Sequence, residues 1–265
     1  MSKIQEALEK IHDKDGTGGQ HAKGSQRREM RDGVADVRKM ADESTRDTRQ
    51  LDKLKIIYPE MSDTGAFNAF RDLRTSLRRA VVEKNPAIMV TSVCAGGGGS
   101  LVALNLARAI ALDDGVTSLL IDCNLQKSSL FDGLAIDDKP LGLREYMKDE
   151  SLVAEDIIHS CGISRLRVIP VGQKSIGVTE FFTSSRLGQL VREVKNRYSE
   201  RNIIIDSPPI CETADARLLA EICDYVLLVV PYGKATRAKI QKSVDAIGQD
   251  KLVGVVFNNE PGLLV

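Results

Sequence analysis

A glycine-rich turn between an apolar strand and an apolar helix holds the residues of this chain best suited to chemistry. Residues 95–100 read Ala-Gly-Gly-Gly-Gly-Ser. In the phosphate-binding pattern G-x-x-x-x-G-K-[ST], backbone N–H groups cradle phosphates, the lysine reaches the β- and γ-phosphates, and the hydroxyl binds Mg²⁺. Gly98 and Ser100 keep their places in this pattern. Val93 replaces the first glycine and Gly99 replaces the lysine, so the sequence predicts a phosphate site without its main positive charge.

Two aspartates stand where predicted strands end. Asp122 follows the apolar run 118–121, and Asp206 follows the run 202–205. In a parallel sheet, ligands bind beyond the carboxyl ends of the strands. A polar residue there often only caps the next turn, but two carboxylates beside one phosphate loop suit a divalent cation. The position of Asp122 and Asp206 therefore favours a divalent-cation site beside the loop.

The elements that would position these groups alternate along the chain. Short β-rich runs separated by helical stretches are predicted as strands at 87–92, 117–122, 165–171, 202–206, 225–230 and 252–257. Strands that are apolar almost throughout indicate a parallel sheet with helices on both faces. The predicted fold class is therefore α/β, of the P-loop NTPase type.

A predicted helix from about Asp63 to Val82 precedes the first strand. It has two faces, an apolar stripe and an arginine stripe. The apolar stripe consists of Phe67, Phe70, Leu73 and Leu77, and the arginine stripe of Arg71, Arg74 and Arg78.

The N-terminal part divides into a helix and a linker. Residues 2–12 are predicted to form an amphipathic docking helix. Residues 13–51 are rich in Gly, Arg and Asp with few large apolar side chains, which predicts a flexible charged linker because little burial offsets the entropy of ordering. Residues 52–265 form the predicted P-loop domain. The apolar face of the docking helix consists of Ile4, Leu8 and Ile11.

Composition excludes some partners and leaves others open. Lys plus Arg and Asp plus Glu both number 37, so the formal net charge of zero gives no argument for binding nucleic acid or an anionic membrane. No apolar run approaches the roughly 20 residues that span a bilayer, and the N-terminus lacks a secretory pattern. We expect a cytoplasmic protein that reaches a membrane only through a partner. Its five cysteines, without close pairing or zinc spacing, suit reduced thiols.

Four segments in this order and spacing carry a resemblance to a known family. They are 69–75 (Ala-Phe-Arg-Asp-Leu-Arg-Thr), the glycine loop, 120–125 (Leu-Ile-Asp-Cys-Asn-Leu) and 203–209 (Ile-Ile-Ile-Asp-Ser-Pro-Pro). The chain resembles the bacterial tyrosine kinases (BY-kinases) of capsule and exopolysaccharide systems, relatives of the MinD and ParA ATPases. Residues 1–8 resemble the start of exosortase-associated tyrosine autokinases.

The resemblance implies ligands, residue roles and partners. It implies ATP and Mg²⁺ as ligands, and it assigns Asn258 to recognition of adenine. It also implies that Ser100, Asp122 and Asp206 hold Mg²⁺ and that, in an active enzyme, the two aspartates are the catalytic residues. The nucleotide-binding residues that it implies are Gly96, Gly97, Gly98, Gly99, Ser100, Leu101 and Asn258. As partners it implies a Wzz-like membrane chain-length protein or a related active kinase, in a hetero-oligomer.

The departures from the family pattern concern the residues of catalysis and assembly. Beyond the lysine, Leu101 replaces a threonine and Asn124 replaces the second acid of the motif that begins at Asp122. Asn68 replaces the glutamate of the E-x-x-R-x-x-R motif that joins subunits into a ring, which leaves Arg71 and Arg74 without that partner. The chain also ends without a tyrosine-rich tail. We therefore expect weak ATP binding or none, and little catalysis.

Three functions remain open from the sequence. The leading interpretation is a catalytically degenerate BY-kinase-like regulatory or scaffolding protein of exopolysaccharide biosynthesis or export. The alternative is an active tyrosine autokinase or ATPase whose missing lysine is supplied elsewhere, with Lys127 the nearest candidate. A MinD/ParA-like positioning ATPase is the third, although Cys94 stands where that type has its signature lysine. Independently, Cys94, Cys123 and Cys211 all follow strands, so a thiol-based metal or redox site is conceivable.

Overall fold

The computed structural model describes residues 46–125, 130–131, 134, 136, 140–173 and 185–260. Within them the helices are α1 (Thr48–Lys53), α2 (Thr64–Ala80), α3 (Gly99–Ala111), α4 (Leu143–Lys148), α5 (Ala154–Ile157), α6 (Ser185–Arg197), α7 (Ala214–Ile222) and α8 (Arg237–Ile247). The strands are β1 (Ala87–Ser92), β2 (Thr117–Asp122), β3 (His159–Ser160), β4 (Leu166–Ile169), β5 (Arg201–Asp206), β6 (Tyr225–Pro231) and β7 (Leu252–Asn258).

The seven described strands form one sheet in the order β3-β4-β2-β5-β1-β6-β7. All neighbouring pairs are parallel except β3 with β4. The parallel sheet predicted from the apolar runs is confirmed, and its one antiparallel edge strand was not predicted. The predicted strand 165–171 is shorter than expected, because the chain turns away after Ile169 at Pro170.

Helices cover both faces of the sheet, as predicted. Alternate residues of each strand enter opposite cores, so on β1 Met89 packs on one side while Ile88 and Val90 pack on the other. The first core includes α6 and α7, and the second includes α2 and α3. Because the central strands are buried on both faces, they read as continuous apolar runs.

The ordered domain begins before residue 52, so the predicted end of the linker at Leu51 is wrong. Asp47 accepts a hydrogen bond from Gln50 N at 2.8 Å and caps α1, which starts at Thr48. Leu51 is buried, and Arg46 Nε donates to the carbonyl of Cys161 at 3.3 Å. The predicted docking helix, with Ile4, Leu8 and Ile11, lies outside the described residues. No helix among the described residues has the length and apolarity needed to cross a membrane.

Candidate functional site

The glycine loop leads from β1 into α3 at the carboxyl edge of the sheet. Ser92 Oγ donates to the carbonyl of Cys94 at 2.7 Å, and Gly97 N donates to the same carbonyl at 3.1 Å. Gly98 adopts the left-handed conformation, with φ of 86°, directly before the first turn of α3. The loop is therefore a closed backbone turn against a helix N-terminus, which is the arrangement that receives phosphate.

Asn258 at the end of β7 fixes the loop. Its Nδ2 donates to the carbonyl of Gly97 at 3.0 Å. A Cβ at Gly98 would collide with this amide, and a Cβ at Gly97 would lie 2.9 Å from the carbonyl of Cys94. Glycine is thus required at these positions by close approach. Recognition of adenine by Asn258 stays a prediction, whereas its contact with the loop is observed.

Gly99 differs from its neighbours because the structure leaves room at its side chain. A Cβ there would meet its nearest atoms, in Ser92, at 3.5–3.8 Å, which is ordinary van der Waals contact. A first side-chain carbon is therefore tolerated at Gly99, where the pattern has lysine.

The cleft beside the loop holds no basic side chain among the described residues. It measures about 290 Å³ and is lined by Ser92, Ala95, Gly96, Gly97, Gly98, Gly99, Ser100, Leu101, Asn124, Ser207, Pro208, Pro209, Glu212 and Thr213. Ala95 N donates to Glu212 Oε1 at 3.0 Å. Lys127, the candidate substitute for the missing lysine, lies outside the described residues.

Asp122 and Asp206 are brought together as predicted. They are register partners at the ends of the adjacent strands β2 and β5, and both are fully buried. Asp122 Oδ1 accepts a hydrogen bond from Asn124 N at 2.9 Å. Neither carboxylate oxygen of Asp206 accepts a hydrogen bond of good geometry from the described residues, although the Ser100 hydroxyl and the Ser207 N–H lie close enough to favour its charged form slightly.

The environment of Asp206 disfavours its charged form. Burial, and then the Asp122 carboxylate, raise the pKa of Asp206 well above its usual value of 3.8. The Ser100 hydroxyl and the Ser207 N–H act in the opposite direction with smaller effect. A buried carboxyl group without a partner costs free energy that a bound cation would recover.

The donor set suits Mg²⁺ bound together with a phosphate. The orphaned oxygens of Asp206 need a cation or a proton, and Ser100 lies close enough to affect the pKa of this carboxyl. Mg²⁺ is usually held by one or two carboxylates plus substrate phosphates. Ser100, Asp122 and Asp206 would hold the ion, which would neutralise charge on the phosphate. A triphosphate fits the backbone loop less well, because its charge meets no cationic side chain among the described cleft residues.

The thiols form no ligand set. Within the described segments, no three His, Cys, Asp or Glu residues gather to hold a metal. Cys123 is fully buried, and burial followed by the Asp122 carboxylate raises its pKa well above the usual value of 9.0. Cys211 Sγ instead lies 3.5 Å from Ser243 Oγ of α8. Cys94 supplies its carbonyl to the loop turn.

A larger apolar cavity adjoins the cleft at Leu101. It measures about 640 Å³ and lies between α2, the segment 55–57 and the end of β7. Phe70, Val256 and Asn258 are among its lining residues, and Phe257 at its edge is 68% exposed. Its position places apolar walls beside the residue predicted to contact adenine.

The arginines of the α2 stripe contact residues of their own chain. Arg74 Nη1 lies 2.8 Å from Asp113 Oδ1 and donates to the carbonyl of Ala109 at 3.0 Å. Asp113, just beyond the C-terminal end of α3, therefore gives Arg74 an acidic partner within its own chain, which is a different partner from the motif glutamate that Asn68 replaces. Arg71 is exposed and lies over the ring of Phe67 at 5.5 Å. Because Arg74 contacts Ala109 and Asp113, it lies at the end of α3 opposite the loop.

Sequence reasoning missed two residues that shape the site. Glu212 reaches the loop from 117 positions away, and Asn105 of α3 binds the segment 55–57 from about 50 positions away. A polar residue within the apolar pattern of α3 was the signal for Asn105. Glu212 had no local signal.

Comparisons with known proteins agree with this geometry. No model of a known protein family matches the chain. Tyrosine-protein kinase YwqD of Bacillus subtilis is 29% identical over 194 residues, which are 72% of this chain and 80% of that kinase. Tyrosine-protein kinase CpsD of Streptococcus agalactiae serotype III is 29% identical over 191 residues, 71% of this chain and 80% of the kinase. Tyrosine-protein kinase wzc of Salmonella typhi is also 29% identical, over only 27% of its length.

Solved structures lead to the same group. The kinase domain of Escherichia coli tyrosine kinase ETK matches with a TM-score of 0.66 at 26% identity, covering 80% of this chain and 88% of that domain. The chimerical protein CapA2B2 matches with a TM-score of 0.64 at 28% identity, covering 72% of this chain and 84% of CapA2B2. The cell division ATPase MinD of Pyrococcus furiosus matches with a TM-score of 0.53 at 21% identity, covering 65% of this chain and 70% of MinD. This likeness shows the fold alone. The chain is thus a homologue of the bacterial tyrosine kinases, with the P-loop fold that these kinases share with ParA and MinD ATPases.

Proposed function

We propose that this protein is a catalytically degenerate BY-kinase-like regulator or scaffold of exopolysaccharide biosynthesis or export, with weak affinity for ATP. One observation carries the proposal. The backbone loop and the two aspartates remain in place, while Gly99 and the other described cleft residues offer the phosphates no cationic side chain.

The missing lysine should affect ATP affinity and the rate of phosphoryl transfer by different amounts. A charge-assisted hydrogen bond contributes about 1.5–3 kcal/mol, so loss of the lysine weakens binding by about one to two decades or more. Phosphoryl transfer depends on electrostatic stabilisation, and removal of one preorganised donor costs on the order of 10²–10³ in rate. Asn124 adds to this loss, because its side chain stands in the cleft in place of an acid.

The partner and the location follow from the relationship to the family. We place the protein in the cytoplasm, where a Wzz-like membrane chain-length protein or a related active kinase would recruit it to the membrane. The N-terminal segment with Ile4, Leu8 and Ile11 is the proposed docking element, because its apolar stripe suits a groove on a partner. Arg71 is a second candidate contact, since its side chain is exposed.

An active tyrosine autokinase is the second candidate, and Asp206 favours it. A fully buried carboxyl group with two orphaned oxygens is costly unless the protein uses it, and a Mg²⁺–nucleotide complex is the ligand that would use it. In this alternative a partner chain, or a residue outside the described part, supplies the missing cation.

Calorimetric titration of the full chain with ATP and Mg²⁺ tests the proposal. We expect binding that approaches saturation only at millimolar nucleotide and that weakens without Mg²⁺. Asp206→Ala serves as the control and should remove the Mg²⁺ dependence. A dissociation constant in the low micromolar range or below would contradict the proposal and favour the active kinase.

A further inference from the structure

We propose that the Glu212 carboxylate competes with phosphate groups for the N–H donors of the phosphate loop. Its negative charge would then make the cleft disfavour ligands with more negative charge. The inference rests on the proposed function only in requiring that the loop binds anions. It assigns a specificity-determining role to a residue that no sequence motif identified.

The observed contact places a carboxylate on a loop amide. Glu212 Oε1 accepts a hydrogen bond from Ala95 N at 3.0 Å, and Glu212 lines the cleft together with residues 95–101. Backbone N–H groups of such loops are the donors that receive phosphate oxygens. The carboxylate therefore uses a donor from the set that an incoming phosphate needs.

The segment that carries Glu212 is fixed against β1. Ser207 N donates to the carbonyl of Val90 at 3.1 Å, and Thr91 Oγ1 donates to the carbonyl of Pro208 at 2.8 Å. Glu212 N donates to the carbonyl of Pro209 at 3.0 Å, one residue before the Thr213 cap of α7. The backbone of Glu212 is therefore held beside the loop, so its carboxylate remains near the phosphate position even when the contact with Ala95 opens.

The negative charge of Glu212 lies in a cleft that has no cationic side chain among its described residues to offset it. No lysine or arginine is among the described cleft residues, so Glu212 is opposed there only by N–H groups and the N-terminus of α3. Like charges about 5 Å apart repel enough to change affinity by about fourfold per unit charge in bulk water and by about 300-fold at the dielectric of a protein surface, so about tenfold is expected for an exposed, screened carboxylate. Because Glu212 is solvent-exposed, salt reduces this effect. The repulsion grows with phosphate charge, so the cleft should disfavour triphosphate more than monophosphate.

A purely structural role makes a different prediction. If Glu212 only satisfies the N–H of Ala95, then Glu212→Gln preserves that role, because the amide oxygen still accepts the bond. If the charge acts on the ligand, the same substitution raises affinity for anions without changing stability. Glu221→Gln, at the far end of α7, removes the same charge from an exposed position away from the cleft and is the matched control.

The test is calorimetric titration of the full-length wild type, Glu212→Gln and Glu221→Gln with inorganic phosphate, pyrophosphate, tripolyphosphate and ATP, with Mg²⁺, at low and physiological salt. We expect Glu212→Gln to bind pyrophosphate and ATP about tenfold more tightly than the wild type, with the largest gain for tripolyphosphate and a smaller gain at the higher salt. The thermal midpoint should be unchanged, and Glu221→Gln should match the wild type.

Two results would overturn the inference while leaving the proposed function intact. One is ATP binding by Glu212→Gln within twofold of the wild type. The other is an equal gain in Glu221→Gln, which would indicate a general effect of net charge. If neither the wild type nor Glu212→Gln binds any of these anions at millimolar concentration, the inference fails together with the anion site of the proposed function.

Discussion

At the scale of single residues, this site differs from an active P-loop in charge rather than in shape. Gly98 has the backbone conformation that the loop needs, and Asn258 holds the loop against β7. Asp122 and Asp206 meet at the edge of the sheet. The replacement at Gly99 is not imposed by a clash at Cβ, since a Cβ there would meet only ordinary contacts. The loss of charge is therefore open to repair by a single substitution.

Gly99→Lys should raise the affinity for ATP by about one to two decades, because it restores charge-assisted contacts to phosphate in an otherwise intact loop. Turnover should stay low, since Leu101 and Asn124 are unchanged. Gly99→Met, with similar volume and no charge, should bind like the wild type. Calorimetry gives the affinities and phosphate release gives the turnover. Equal affinity for ATP in the wild type and Gly99→Lys would mean that the cleft has lost more than its lysine.

Asp206→Asn should raise the free energy of unfolding at neutral pH by about 1 kcal/mol or more, because it removes a buried carboxyl group without a hydrogen-bond partner. Since folding raises the pKa of Asp206, the native state binds the proton more tightly, and its stability falls as pH rises above the usual value of 3.8. The gain should therefore be present at pH 7 and disappear near pH 4.

Chemical denaturation at both pH values measures the effect of Asp206→Asn. Asp245→Asn, on the exposed face of α8, is the control and should change stability little. A loss of stability in Asp206→Asn at pH 7 would show that the carboxyl group has a structural partner.

At the scale of elements, α3 connects the phosphate loop to the parts of the chain that precede the sheet. Its N-terminus forms the loop, and Arg74 binds its far end through Ala109 and Asp113. Between them, Asn105 Oδ1 accepts from Ile57 N at 2.8 Å, and its Nδ2 donates to the carbonyls of Lys55 and Leu101 at 2.9 and 3.0 Å. A single buried amide thus joins the incoming chain to the helix of the site.

Asn105→Ala should lower the free energy of unfolding by about 1–3 kcal/mol, because it leaves the buried N–H of Ile57 and the partly buried carbonyl of Lys55 without their partner. Thr75→Ala removes an exposed hydrogen bond to the carbonyl of Arg71 and should cost less than about 0.5 kcal/mol. Denaturant unfolding compares the two. Similar small losses would mean that water replaces the amide of Asn105.

The elements that were predictable are those encoded by local pattern. The central strands and the loop are continuous in sequence, so apolar runs and glycine spacing located them. The two-residue strand β3 has no periodicity to detect. The contacts of Glu212 with Ala95 and of Arg74 with Asp113 join residues that are 117 and 39 positions apart, and only the fold brings them together. Local sequence patterns therefore do not reveal chemistry that depends on such pairs.

At the scale of the whole molecule, the residues that the resemblance links to ring assembly have lost an acidic group, as the phosphate loop has lost its lysine. Asn68 is exposed where the resemblance implies a glutamate, and Arg74 is paired with Asp113 of its own chain. Of the two arginines of the ring motif, Arg71 therefore retains an exposed side chain for a neighbour. A charge-assisted bidentate contact between subunits is not available to an asparagine.

We expect light scattering at micromolar concentration to give a monomer or a dimer. The ring of the family needs a repeated acid–arginine pair at each interface, and Asn68 cannot supply it. Asn68→Glu, which restores the acid, is the informative variant and should increase self-association at equal concentration. A stable octamer of the wild type would contradict this prediction.

The central claim is that the site binds nucleotide weakly and does not transfer phosphate to tyrosine. The five tyrosines of the chain all lie in described segments, and Tyr232, at 56% exposure, is the one with more than half of its surface in solvent. Its backbone N–H donates to the carbonyl of Asn258 at 2.8 Å, and its exposure makes it the most accessible potential acceptor among the tyrosines. Mass spectrometry of the purified full chain after incubation with ATP and Mg²⁺ is the most direct test. We predict no phosphotyrosine at any position, whereas Mg²⁺-dependent phosphotyrosine that is absent from Asp206→Ala would contradict the account.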